Sequence, residues 1–132
     1  MGAWGANIFQ NDDAMDFAFE LSEADGWKIV RKTLRDCLAE GYTDAGQSAM
    51  TLAAAEAVAA AKGHAAKDLP PAIVSWVAQH REELPAGLED RAREAVEKIL
   101  DDEESELRQL WAEEDNGAWT AAIDDLINRL AA

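Results

Sequence analysis

Residues 44–62 read DAGQSAMTLAAAEAVAAAK, and this alanine-rich stretch decides the fold. Alanine is the best helix former of the common residues, and its short side chain lets neighbouring helices approach closely. Asp44 and Gln47 resemble a capping box at a helix N-terminus, and Gly63 stands where a helix C-terminus favours glycine. The stretch therefore predicts a helix from Asp44 to about Lys62, near the centre of a helical bundle.

Two helices are predicted before this stretch, over about 11–22 and 25–40. In both, apolar residues recur at the i, i+3, i+4 and i+7 spacing of a helix that buries one face. Met15 and Phe19 lie off the first stripe, so the first helix is expected to contact neighbours on more than one side. The predicted core stripes are Ala14, Phe17, Ala18 and Leu21 in the first helix and Trp27, Val30, Leu34, Cys37 and Leu38 in the second.

The rest of the chain follows the same pattern. Pro70-Pro71 and Pro85 are predicted to start two helices at their first turns, where the missing amide hydrogen is no loss. A shorter helix is predicted around Leu107 and Trp111, and a last helix after residues 116–117. The core residues predicted here are Ile73, Trp76, Val77 and His80; Leu88, Ala92, Ala95, Val96, Ile99 and Leu100; and Trp119, Ala122, Ile123, Leu126, Ile127 and Leu130.

These segments predict an all-α fold: a compact single-domain bundle of six or seven helices over residues 1–132, preceded by an irregular N-terminal segment. No segment alternates apolar and polar residues with period two, so no strand is predicted. A chain of 132 residues can bury a core without a disulfide or a metal. The lone Cys37, the absence of an apolar run of membrane-span length and the absence of a signal-peptide pattern predict a cytoplasmic protein.

The formal net charge of −15 is concentrated near one end of the chain. Residues 101–116 hold eight acidic side chains against a single base, Arg108. This charge repels nucleic acid and anionic membranes and attracts a basic protein, and no basic stripe for nucleic acid is recognised in the sequence. The alternative explanation of the negative charge is that it only keeps the protein soluble. The acidic strip, our name for this candidate partner-binding surface, comprises Asp101, Asp102, Glu103, Glu104, Glu106, Glu113, Glu114 and Asp115.

Common catalytic signatures are absent from the sequence, and no catalytic residue, cofactor or metal ligand is assigned. His80 falls on an apolar stripe, which is typical of a histidine at the edge of a core with a local hydrogen bond. Cys37 is interpreted as a small core residue rather than a reactive thiol. Asp12 and Asp16 share a helix face and could offer oxygen ligands to a cation. Acids in a first helical turn also complement the helix dipole, which is the simpler interpretation.

The first sixteen residues, MGAWGANIFQNDDAMD, combine aromatic and turn-forming residues. Trp4 and Phe9 are predicted to fold this segment onto the helices, with Gly5 permitting a tight backbone. Asn11 or Asp12 is predicted to cap the first helix. An exposed recognition patch around Trp4 is the alternative, because large aromatic side chains also anchor interfaces.

This leading pattern, Met-Gly-x-Trp-Gly, then Phe, then Asn-Asp-Asp-Ala, resembles the start of the bacterial domain-of-unknown-function family 4259. Residues 105–111, SELRQLW, together with Trp119 and the Leu126/Leu130 helix, are a second similarity. Asn7 departs from the glycine usual in the family, although asparagine tolerates left-handed backbone better than most residues. The resemblance implies a small bacterial single-domain protein with no assigned activity, cofactor or catalytic residue.

The expected function is a non-catalytic, acidic, helical protein-interaction module that binds a basic protein. An inhibitor or immunity-type protein is a more specific version, which rests on charge and size rather than on a motif. The alternative is a small metal-binding or enzymatic domain with its site near the N-terminal Asn-Asp-Asp segment, using Asp12, Asp16 and His80. A third possibility is a homo-oligomer with aromatic side chains at the subunit interface, since the sequence does not determine the oligomeric state.

Overall fold

The structure, a computed structural model, describes residues 9, 12–39, 44–67, 69–101 and 118–131. Within these ranges it contains six α-helices and no strand, so the predicted all-α fold is confirmed. A 3-10 turn over Arg81–Glu83 continues the fourth helix. The helices are α1 Asp12–Ser22, α2 Lys28–Ala39, α3 Ala45–Ala61, α4 Pro71–His80, α5 Leu88–Asp101 and α6 Ala118–Ala131.

Helix α3 lies at the centre of the bundle and contacts each of the other five helices that the structure describes. Every residue from Thr51 to Ala61 is buried, so this part of the helix has no solvent-facing side. Seven of those eleven residues are alanines, and their short side chains leave room for neighbours all round. The central position predicted for the alanine-rich stretch is confirmed.

Both ends of α3 form as its sequence predicts. The side chain of Asp44 accepts a hydrogen bond from the amide of Gln47 at 2.7 Å, which satisfies one free N–H of the first turn. At the other end Gly63 has a φ of +93°, which favours glycine. The amides of Gly63 and His64 donate to carbonyls of the last turn at 3.0 and 2.9 Å, a Schellman arrangement that ends the helix.

Most residues of the stripes predicted for the surrounding helices are buried where the structure describes their side chains. The buried residues of α1 are the four predicted ones, and Val30, Leu34 and Cys37 are buried in α2. Met15 and Phe19 are 39% and 65% exposed, so the expectation that α1 uses a second face is wrong for these two side chains. Both side chains are exposed although α1 contacts α3 and α4.

The predicted start of the fifth helix at Pro85 is also wrong. Helix α5 begins at Leu88, whose amide donates to the carbonyl of Pro85 at 3.2 Å across a turn. Gly87 in that turn has a φ of +82°, which is incompatible with a right-handed helix, so the helix can begin only after it. The helix predicted around Leu107 and Trp111 falls in residues 102–117, which lie outside the described part of the chain.

No helix in the described ranges has both the length and the apolar composition needed to cross a bilayer.

The close packing around α3 makes a testable prediction. Ala57 is fully buried, so Ala57→Leu must displace neighbouring helices and is expected to lower the free energy of unfolding by about 1–3 kcal/mol. The matched control is Ala121→Leu on the exposed side of α6, with an expected change within about 0.5 kcal/mol. Urea denaturation measures both. Equal effects of the two substitutions would contradict the central position of α3.

Candidate functional site

The sequence-predicted site residues are only partly covered by the structure. Phe9 is buried, with 6% of its surface exposed, as expected for a residue that anchors the N-terminal segment. Asp12 is the first residue of α1 and is exposed, as a residue in an acidic first helical turn should be. Asp101 is the last residue of α5, and the structure does not describe its side chain. Trp4, Gly5, Asn11 and the other seven residues of the acidic strip also lie outside the described ranges.

His80 belongs to an aromatic cluster at the end of α4. Its ring stacks on Trp76 with the ring centroids 4.5 Å apart, and Trp76 meets Trp27 edge-on at 4.8 Å. The indole N–H of Trp27 donates to the carbonyl of His80, and that of Trp76 donates to the carbonyl of Ala24, both at 2.9 Å. These reciprocal bonds join α4 to the loop between α1 and α2.

The imidazole of His80 makes a local polar contact, from Nδ1 to Oε1 of Glu83 at 3.4 Å. The side chain is 16% exposed. The prediction of a core-edge histidine with a local partner is confirmed, and the cluster gives His80 a structural role.

Cys37 is fully buried in the bundle, as predicted. Burial raises the pKa of its thiol, because a thiolate would lose its hydration there, while the Thr51 hydrogen bond and the charge of Lys98 oppose the rise. A raised pKa keeps the sulfur protonated near neutral pH. The protonated thiol is a much weaker nucleophile than the thiolate, so Cys37 is expected to be unreactive.

The carboxylates of α1 do not assemble a metal site within the described part of the chain. Asp12 and Asp16 are exposed on the helix surface. Among the residues that the structure describes, no group of three or more histidine, cysteine, aspartate or glutamate side chains could hold a metal ion. Asp12, Asp16 and His80 therefore form no such group.

Sequence reasoning missed a buried ion pair. Glu56, 2% exposed, lies on α3, and its two carboxylate oxygens accept hydrogen bonds from Arg129 of α6 at 2.6 and 2.9 Å. The Glu56 contact raises the pKa of Arg129, so the guanidinium stays charged. The signal was present in the sequence, because Glu56 is the only ionisable residue of α3.

A basic groove was missed as well. It lies between α2 and the start of α5 and has a volume of about 680 Å³. Four of its basic side chains recur at i, i+3, i+4 and i+7 on α2 and so share one face of that helix, and the fifth is on α5. The groove is lined by Lys28, Arg31, Lys32 and Arg35 and by Pro85, Ala86, Gly87, Leu88 and Arg91.

Residues 2–122 match the family model described as a domain of unknown function, DUF4259. The chain belongs to this family. The match takes in the N-terminal motif from Gly2 onward and the whole acidic strip, while Met1 and residues 123–132 lie outside it. No curated protein and no solved structure gives a significant match. The resemblance inferred from the leading pattern is confirmed, and the DUF4259 description assigns no activity.

In this DUF4259 protein, the burial of Cys37 predicts slow modification by a thiol reagent. Only an opened state exposes the sulfur, so modification near neutral pH is expected to be more than about a hundredfold slower than in denaturant. The control is the Cys37→Ala/Ser75→Cys variant, which carries its thiol at an exposed position of α4 and should react rapidly while folded. Labelling is followed by mass spectrometry. Rapid reaction of folded Cys37 would show that the thiol is accessible.

Proposed function

We propose that this protein is a non-catalytic interaction module whose acidic strip binds a basic protein partner. The observation that carries the proposal is the concentration of eight carboxylates against one base within residues 101–116. Complementary charge steers association and raises the on-rate more than it raises affinity. An inhibitor or immunity-type role, in which the strip covers the basic substrate-binding surface of a toxin or nuclease, is the more specific form of the proposal.

The position of the strip in the sequence is consistent with the proposal. Its first residue ends α5, and its last residue precedes α6, two helices that pack against each other and against α3. The strip therefore lies between two helices of the bundle in the sequence. We also propose that the protein works in a reducing compartment, the cytoplasm, because its lone cysteine, Cys37, is free and buried.

The proposal predicts salt-dependent capture of a basic partner. The immobilised chain should retain a basic protein from a lysate at low salt and release it at high salt, because screening weakens interactions between exposed charges. Neutralising the eight strip acids to Asn or Gln should abolish this capture while circular dichroism shows unchanged helicity. Mass spectrometry identifies what is retained.

A charge-matched control separates the strip from the overall charge of the protein. It neutralises eight exposed acids elsewhere, giving the same net charge as the strip variant. If both variants lose the partner, or both keep it, the strip is not the binding surface. The control positions are Asp16, Glu20, Glu23, Asp25, Glu82, Glu94, Glu97 and Asp124.

A further inference from the structure

We propose that the basic groove binds a compact anion that carries two or more linked phosphoryl groups. The groove holds five of the twelve lysines and arginines of a chain whose net charge is −15. No carboxylate is among its described lining residues. Like charges repel one another, so gathering them in one groove costs free energy unless an anion is present. The groove shares no residue with the acidic strip, and the two proposals stand or fall separately.

Within the described part of the chain, three of the five basic side chains of the groove have no ion-pair partner. Lys28, Arg31 and Arg91 form no ion pair with any residue in the described ranges. Asp36 contacts Lys32 at 2.9 Å and Arg35 at 3.8 Å. These two basic side chains are about two-thirds exposed, and exposed pairs contribute little, so a bound anion can compete for them.

The two acids in the first turn of α5 have partners that do not line the groove. Glu89 and Asp90 belong to the first turn of α5. Glu89 contacts Lys62, at the end of α3, at 2.8 Å, and Asp90 contacts Arg93 at 3.8 Å. Neither carboxylate lines the groove, which leaves the lining positively charged.

The backbone at the start of α5 also contributes to the positive electrostatic potential of the groove. The turn at Gly87, with its φ of +82°, directs the chain into α5, so the first residue of the helix lines the groove. The N-terminal end of a helix dipole carries partial positive charge and favours anions. Because Leu88 and Arg91 both line the groove, this end of α5 lies beside the cationic side chains.

The side-chain chemistry favours phosphoryl groups over a single carboxylate. Three of the five bases are arginines, whose planar guanidinium groups bind phosphate oxygens in pairs. The α2 stripe from Lys28 to Arg35 is about 10 Å long, at about 1.5 Å per residue, which suits several linked anionic groups. A long nucleic acid would extend beyond this stripe into the field of a chain whose charge is −15. The ligand is therefore a compact one.

Tripolyphosphate is the first probe, measured by titration calorimetry on the full chain at low ionic strength. The expected result is binding of one equivalent, with chemical-shift changes in the amides of residues 28–35 and 87–91. ATP without magnesium is the second probe. Tighter binding of ATP than of tripolyphosphate would identify the ligand as a nucleotide, and equal binding would identify the phosphate chain alone as the recognised group. Either result supports the proposal.

Matched variants locate the site. Arg31→Gln/Arg91→Gln removes two groove charges and should weaken tripolyphosphate binding at least about tenfold, because charge-assisted hydrogen bonds are lost. Lys67→Gln/Arg81→Gln removes two exposed charges that do not line the groove and should change affinity no more than about twofold. Thermal unfolding confirms that both variants fold.

Four results would overturn the proposal. The first is no binding of tripolyphosphate to the wild-type chain. The second is equal weakening, or no weakening, in the two double variants. The third is equal or tighter binding of citrate, which would make the groove a carboxylate site, or of a single-stranded oligonucleotide, which would make it a nucleic-acid surface. The fourth is a wild-type dimer in light scattering that dissociates in Arg31→Gln/Arg91→Gln, which would make the groove a contact between copies.

Discussion

The constraint on which the rest of the structure depends is the burial of one carboxylate inside the central helix. Helix α3 is buried on all sides from Thr51 to Ala61, and Glu56 is its only ionisable residue. A buried charge without a partner costs several kcal/mol, so the fold requires a cation at this point. Arg129 supplies it with two hydrogen bonds, at 2.6 and 2.9 Å. Because both bonds are directional, they fix α6 against α3 in one register.

Other polar contacts reinforce that arrangement around the end of α3. Lys62, one residue beyond α3, donates to the backbone carbonyl of Leu130 and forms an ion pair with Glu89 of α5. Arg129 also donates to the carbonyl of His64 at 3.2 Å. The end of α3 therefore holds the last turn of α6 and the first turn of α5 together. The same region sets the position of the α5 N-terminus, which forms one wall of the basic groove.

Local patterns in the sequence predict much of the fold. Helix propensity, caps and apolar spacing are properties of neighbouring residues, and they correctly predict α3, its Asp44 cap, its Gly63 end and the buried stripe of α1. The error at Pro85 arose because proline fits both a first helical turn and a β-turn, and the φ of Gly87 decides between them. The Glu56–Arg129 pair joins residues far apart in the chain, so spacing could not predict it. The spacing of the four bases on α2 does place them on one face, but it could not predict that Arg91 of α5 lies beside them. The sequence alone was enough to identify the acidic strip and the family, but it did not predict which distant charged residues pair.

A double-mutant cycle of Glu56→Gln and Arg129→Gln tests the central claim most directly, with free energies of unfolding from urea denaturation. Each single variant breaks this ion pair and keeps one of its two charges, at an expected loss of about 3–5 kcal/mol. The double variant keeps neither charge, so its loss should be clearly smaller than the sum of the two. Asp125→Asn, which removes the exposed carboxylate that also contacts Arg129, should cost no more than about 1 kcal/mol. Additive losses in the cycle would contradict the claim that this pair holds α6 to α3.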